Sequence, residues 1–366
     1  MGAGGQDPAI PWKQNSVLNK GKWVRIRTSG KGVYKVTYEK LASWGFPNPG
    51  QVNVFGNGGY KLAESLDEIP VDDLTKNRCW RGKDGSGKDA LFFYSGGTTA
   101  WEWDPTTSSF RHTVNPYSDY CYYFLSQEGG GAWQVETAGV VNESPTHQVT
   151  SFDEYQRHET EQYNLIRSGQ RWFGEKFGHA FSRTVTLNCP DQVSGEPARV
   201  KISGAGRSSS VSSLEVTINQ QKQLPLIFNA VNVDNEITLY ADEKQQDYSV
   251  SLASPVVEIG LLYSASNALS DAWLDYITVN RRRQLRITAD ELFFRDTRSV
   301  GAGNVASFIL ENGSADLKIW DITEPADIFE VPVTRQGTQI QFIRPASSLR
   351  RSRHRHGHAS TRQRVA

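Results

Sequence analysis

The sequence predicts a mainly β chain. An N-terminal β domain is followed by a β-sandwich or jelly-roll-like domain, with a short helical linker between them and a small C-terminal sheet after. Three observations predict this. Ten Trp, fourteen Tyr and sixteen Phe stand against one Met, and aromatic side chains suit a pleated, half-buried surface. The 32 Gly and 15 Pro place turns at short intervals. Apolar residues recur two apart in many short segments, the period of a half-buried strand. The chain has 366 residues and is 37% hydrophobic, enough for two or three packed cores.

Residues 1–20 are polar and rich in Gly, Pro and Asn, which predicts a flexible lead. The first β domain is expected over 21–126. Trp23–Arg27 alternates apolar and charged residues, Gly30–Gly32 is a turn, and Val33–Tyr38 is a second strand, so the pair reads as a β-hairpin. Tyr38–Trp44 suits a short helix closed by Gly45, which tolerates the left-handed cap. Val52–Gly56 is the next strand, ending in the Gly-rich turn Gly56–Gly59. Ala90–Tyr94 is continuously apolar and predicts a strand buried on both faces. Tyr120–Leu125 is another strand.

Residues 126–150 are rich in Gly, Ser and Thr and mark a linker. The linker region, 127–180, is expected to contain a helix over Ser151–Ile166, with Ser151 and Glu154 as a capping box. The sandwich is expected over 181–290. Its strands are Thr184–Leu187, Ala198–Ile202, Leu214–Ile218, Glu236–Tyr240, Tyr248–Leu252, Val256–Tyr263 and Trp273–Val279. Residues 291–349 form a smaller β segment, with Ala306–Leu310, Leu317–Ile322 and a hairpin of Phe329–Val333 with Thr338–Ile343 about Gly337. Residues 350–366 lose the pattern and read as a basic disordered tail, as from a shifted frame. There is no repeat of solenoid or propeller type.

The formal net charge is zero. The tail holds six Arg and no acid, so residues 1–349 carry −6. A nucleic-acid surface would need clustered cations on one face, and the body has none in sequence. No stretch approaches the roughly 18–20 apolar residues that cross a bilayer. No signal peptide is visible either, since no basic n-region precedes an apolar h-region.

Cys79, Cys121 and Cys189 form no CxxC pair and no metal spacing. Cys121 lies inside an aromatic strand, where burial makes a thiol inert; a Cys79–Cys121 disulfide stays open. Gly82–Asp89 (GKDGSGKD) matches a phosphate loop until Asp89, where Ser or Thr is required, and it runs into a strand rather than a helix. Gly204–Gly206 reads as a turn, not a dinucleotide fingerprint. His112, His147, His158 and His179 lack metal spacing. His354, His356 and His358 lie in the low-complexity tail. Trp101 and Trp103 share one side of a strand and could stack on sugars if exposed; packed with Phe110 and Tyr117 they would be core.

Several segments, in order, resemble the N-terminal part of the PorU-like sortases of the Bacteroidetes type IX secretion system, cysteine peptidases of the gingipain family. They are Lys31–Lys35 (KGVYK), Leu41–Phe46 (LASWGF), Val54–Gly59 (VFGNGG), Ile69–Val71 (IPV) and Leu91–Tyr94 (LFFY). His112–Ser118 (HTVNPYS), Tyr122–Leu125 (YYFL), Ser168–Glu175 (SGQRWFGE) and Trp273–Ile277 (WLDYI) follow. Phe294–Gly303 (FRDTRSVGAG) and Ile319–Pro325 (IWDITEP) close the series. The resemblance runs over about residues 20–349.

The resemblance implies an exported protein at the outer membrane and cell surface. Such sortases remove the C-terminal sorting domain of secreted cargo and attach the cargo to lipopolysaccharide. Implied partners are other type IX outer-membrane components and cargo, with surface polysaccharide as a further candidate, and no nucleic acid. The family's Cys and His act in an α/β domain C-terminal to the matched region, and the chain is expected to stop before it. No catalytic, cofactor or metal residue is therefore carried over, and no activity is expected of this chain alone. Two other readings stay open: a carbohydrate-binding sandwich module, or a propeptide- or adhesin-like domain of a surface peptidase.

Overall fold

The computed structural model describes residues 12–60, 71–167, 169–235, 238–289, 291–350 and 352–355. The chain is mainly β, and the described residues contain one short α-helix, Tyr38–Ser43. Three β units pack together.

In the first unit, Val24–Thr28 pairs antiparallel with Cys121–Ser126, which also pairs with Asn53–Phe55. Lys31–Thr37 pairs with Asp89–Gly96, which also pairs with Cys79–Lys83. The two strands predicted as a hairpin thus exist but enter different sheets. A lone two-stranded ribbon could not bury both apolar faces. Split between sheets, Ile26 and Val36 enclose one core with Leu91, Phe93, Tyr123 and Leu125. Thr37 caps the helix by accepting the Lys40 N–H, and Gly45, at φ 82°, closes it. Residues 12–20 are not a loose lead: the Lys13 and Val17 backbone N–H groups donate to Asp72 and Asp73. Residues 1–11 lie outside the described residues.

Ala90–Tyr94 is buried on both faces, and the reason lies far along the chain. Leu91 and Phe93 point into the first core. Ala90, Phe92, Tyr94 and Val33 pack instead on Trp320, Ile322 and Ile328 of the third unit.

The second unit is a two-sheet sandwich. One sheet orders Ser151–Glu159, Asp271–Gln284, Ala198–Arg207 and Asp242–Val250; the other orders Ser182–Asn188, Val256–Ser264, Ser212–Ile218 and Gln221–Lys222. Val200, Ile202, Leu214, Val216, Ile259, Leu261 and Ile277 fill the space between them. The helix expected from Ser151 is instead a strand. Glu154 does not close a capping box; Phe152 is fully buried, and Asp153 and Glu154 face Arg282 and Arg281 across the ladder. Gly204–Gly206 is not a turn but part of a strand, bulged between Ser203 and Gly204. Of the expected strand Glu236–Tyr240, residues 236–237 lie outside the described residues and 238–240 are irregular.

The third unit is discontinuous, because the sandwich is inserted into it. Glu136–Thr137 runs parallel to Phe329–Val331, and His147–Val149 runs parallel to Val305–Leu310. Part of the expected linker is therefore sheet. Val149, Phe152, Leu285, Phe294, Phe308, Ile319 and Phe342 form this core. The hairpin about Gly337 joins Thr334–Gln336 to Gln339–Pro345, while Phe329–Val331 pairs with Lys318–Asp321 in the other sheet. The tail does not begin disordered either. Ser352–Arg355 is a strand between Glu291–Phe294 and Lys318–Asp321, supplying backbone partners to both. Residues 356–366, with His356 and His358, lie outside the described residues.

Candidate functional site at the seam of the units

The hairpin Thr99–Asp104/Ser109–Val114 places Trp101 opposite His112 and Trp103 opposite Phe110. Its tip is held by Asp104, which accepts from the Thr106 side chain and backbone. The Thr106 hydroxyl bond outweighs a modest burial cost and brings the Asp104 carboxyl down to about 2.

This hairpin leaves the first unit and wedges against the other two. Asn280 clasps the Phe110 backbone, accepting its N–H at 2.7 Å and donating to its carbonyl at 3.3 Å. The rings of Trp101 and Phe110 pack at a tilt on Tyr155, with centroids 4.2 and 4.8 Å away. Arg295 of the third unit donates to the Trp101 carbonyl and the Tyr155 hydroxyl, and lies over the rings of Phe110 and Tyr155. His112 meets Glu159 at 2.8 Å, and Arg157 bridges Glu159 to Thr99. Burial pushes the Glu159 carboxyl up, but the His112 hydrogen bond and the Arg157 charge outweigh it and hold it below its ordinary range.

Beside the hairpin runs an ion-pair ladder. Arg282 joins Asp153 at 2.8 Å and Asp296 at 2.7 Å. Arg283 meets Glu154 and Asp191, and Arg281, its side chain fully buried, meets Glu154. Arg298 grips Glu196 through two bonds, at 2.7 and 2.8 Å. A cleft of about 420 Å³ opens here, lined by Trp103, Phe110, Glu196, Arg199, Ser249 and Arg298 among others.

The structure sorts the sequence candidates plainly. Trp101 and Trp103 pack in the seam rather than forming a platform; Phe110 joins them, whereas Tyr117 is exposed. His112 belongs to the seam, His158 pairs with Glu175, and His147 bonds Thr146. The three thiols are buried and free. Burial pushes the Cys79 thiol to about 12 and that of Cys189 to about 11, and raises Cys121 as well. None is a ready thiolate at neutral pH. Gly82–Asp89 is the end of a hairpin: Gly82 and Lys83 close one strand, Asp89 opens the next, and residues 84–88 turn between them, with Asp84 accepting from Lys35, Ser86 and Lys88. Among the described residues no three His, Cys, Asp or Glu side chains converge as a metal site, and no helix is long and apolar enough to cross a membrane. Tyr155, Glu159, Asn280, Arg281–Arg283 and Arg295 were not singled out from sequence. One signal was there: three consecutive Arg complement the acidic pair Asp153–Glu154.

The arrangement brings side chains of all three units into contact around Phe110 and Tyr155. No protein-family profile matches the chain, and no curated protein matches it. Among solved structures, a family 35 carbohydrate-binding module from an environmental isolate is 14% identical, with TM-score 0.25, over 37% of this chain and 96% of its own. A CBM36 domain of a xylanase from the hindgut metagenome of Trinervitermes trinervoides is 13% identical, with TM-score 0.23, over 35% of this chain and 95% of its own. Dimeric latent PorU from Porphyromonas gingivalis is 25% identical, with TM-score 0.79, over 93% of this chain. This chain spans 32% of that PorU's length, and over that span it has a PorU-like fold.

Proposed function

We propose that this chain is the non-catalytic N-terminal part of a type IX secretion sortase. In this reading the complete protein is exported to the cell surface. There it cleaves the C-terminal sorting domain from secreted cargo and attaches the cargo to lipopolysaccharide. The units described here form the scaffold that carries the catalytic domain and meets outer-membrane components and cargo. The observation that carries the reading is the extent of the shared fold: the PorU match covers 93% of this chain at TM-score 0.79, all three units together rather than a sandwich alone. The seam agrees with a scaffold role, since its carboxylates are committed to arginines and the thiols are buried.

The test is to incubate the purified chain with a cargo sorting-domain fusion and with type IX outer-membrane components. Binding to those components without cleavage is expected. Cleavage that disappears on Cys79→Ala, Cys121→Ala or Cys189→Ala would overturn the reading.

A further inference from the structure

One sheet of the sandwich ends on Ser182–Asn188. This strand pairs on one side with Val256–Ser264, and among the described residues no strand pairs with its other side. The phase of the ladder is fixed at both ends. Tyr263 donates its N–H to the Phe181 carbonyl, and Cys189 donates its N–H to the Pro255 carbonyl. Antiparallel bonds alternate along a strand, so Arg183, Val185 and Leu187 also bond inward. Ser182, Thr184 and Thr186 therefore turn their backbone N–H and C=O groups to the free side, and all three residues are exposed. The open stretch ends at Asn188, whose carbonyl accepts from the Gln156 side chain at 2.7 Å.

Natural sheets protect such edges with charges, prolines, bulges or brevity. Asp242–Val250, also outermost, carries Asp242, Glu243, Lys244 and Asp247. Val24–Thr28, at an edge in the first unit, carries Arg25 and Arg27. Ser182–Asn188 is seven residues long, pairs in unbroken register, and holds no Pro and one charge, Arg183.

The surroundings of this edge indicate what would pair with it. A groove of about 450 Å³ runs beside it, lined by Phe177, Phe181, Arg183 and Val185 among others. Arg183 stands on the same strand face as buried Val185. Its guanidinium lies over the Phe181 ring at 5.1 Å and the Phe177 ring at 6.0 Å, with no ion pair or hydrogen bond among the described residues. Phe181 is 48% exposed.

We infer that Ser182–Thr186 is a docking edge for an extended peptide, which joins the sheet as a further strand. Backbone bonds to Ser182, Thr184 and Thr186 supply affinity, and alternate side chains of the peptide turn into the groove. Charge and exposure specify two of them: an acidic side chain meets Arg183, and an apolar one two residues away covers Phe181. The site is separate from the seam and does not rest on the sortase reading.

The experiment titrates the chain into a short fluorescent peptide that alternates Thr with Val and carries Glu in place of one central Val, read by anisotropy. Saturable binding is expected, about tenfold weaker when Lys replaces that Glu, the scale of one charge-assisted contact. Arg183→Glu should reverse the preference. N-methylating alternate amides of the peptide should abolish binding for one set and spare it for the other, because an added strand bonds the edge through every second residue. Thr184→Pro removes an outward N–H that the native ladder does not use, and should abolish binding while the chain keeps its cooperative melt. Failure of the Glu peptide to bind overturns the inference. So does binding that survives both N-methylated sets, whatever the stability of Thr184→Pro. Self-association of the chain that the peptide cannot displace and Thr184→Pro abolishes overturns it in favour of a second copy at the same edge.

Discussion

At the scale of single residues, burial decides the chemistry that cysteine offers. Cys79 is pushed to about 12 because its thiolate would sit desolvated; the nearby Arg81 charge recovers only part of that. Thiol-reactive dye at pH 8 should therefore label none of the three cysteines in the folded chain and all three in denaturant. A Cys79–Cys121 disulfide would instead leave one reactive thiol on unfolding, so the same titration answers the question that the sequence left open. Gly206 shows the opposite constraint, room rather than charge. A Cβ there would lie 2.5–2.8 Å from atoms of Phe228, a core ring with nowhere to move. Gly206→Ala should cost about 1–3 kcal/mol, read as a lower urea midpoint with an unchanged slope.

At the scale of elements, Ser151–Glu159 and Asp271–Gln284 carry the most consequential pairing. Their register sets acids against three consecutive arginines. Arg282→Ala would leave Asp153 and Asp296 buried without their cation, a loss of about 3–5 kcal/mol, measurable by denaturant titration. The far end of the same strand answers to pH. The folded Glu159 carboxyl is held below its ordinary value of 4.5, so the stability it contributes is full above that value. It is lost as pH falls through the lower, folded value. Melting temperature should therefore drop between about pH 5 and pH 3, and Glu159→Gln should shallow that drop.

This pairing also shows what was legible in sequence. Period-two alternation located Val24–Thr28 and Val256–Ser264 well, because each buries one face; Lys31–Thr37 and the start of Ala198–Arg207 were found too, although both strands also bury residues on their second face. Partner choice was not legible. Val24–Thr28 bonds with Cys121–Ser126, nearly a whole unit away in sequence, and local spacing carries no record of that. Ser151–Glu159 failed as a helix for the same reason: its polar residues looked solvated until distant arginines arrived. Of the seam, His112, Trp101, Trp103 and Phe110 drew notice for their chemistry, but their role as packing depends on Tyr155, Asn280 and Arg295. Those three came from units that sequence alone kept apart.

At the scale of the molecule, three cores are joined by shared surfaces rather than linkers. Trp320, fully buried, presses the third unit onto Phe92 and Tyr94 of the first. Trp320→Ala should cost about 3–5 kcal/mol and split a single cooperative melt into two transitions, visible by calorimetry. A variant that melts once, at a lower temperature, would instead show that the hairpin seam suffices to couple the units.

The insertion of the sandwich into the third unit has a consequence for the chain in time. Strands 147–149 and 305–310 are neighbours in space, yet everything from Ser151 to Gln284 emerges between them. A polypeptide delivered from its N-terminus, by a ribosome or through a pore, can finish its first unit and its sandwich early. It must hold residues 136–149 unmatched until the later strands arrive. The unit that grips the other two is thus the last to set, and completion of the whole waits on a late-arriving segment.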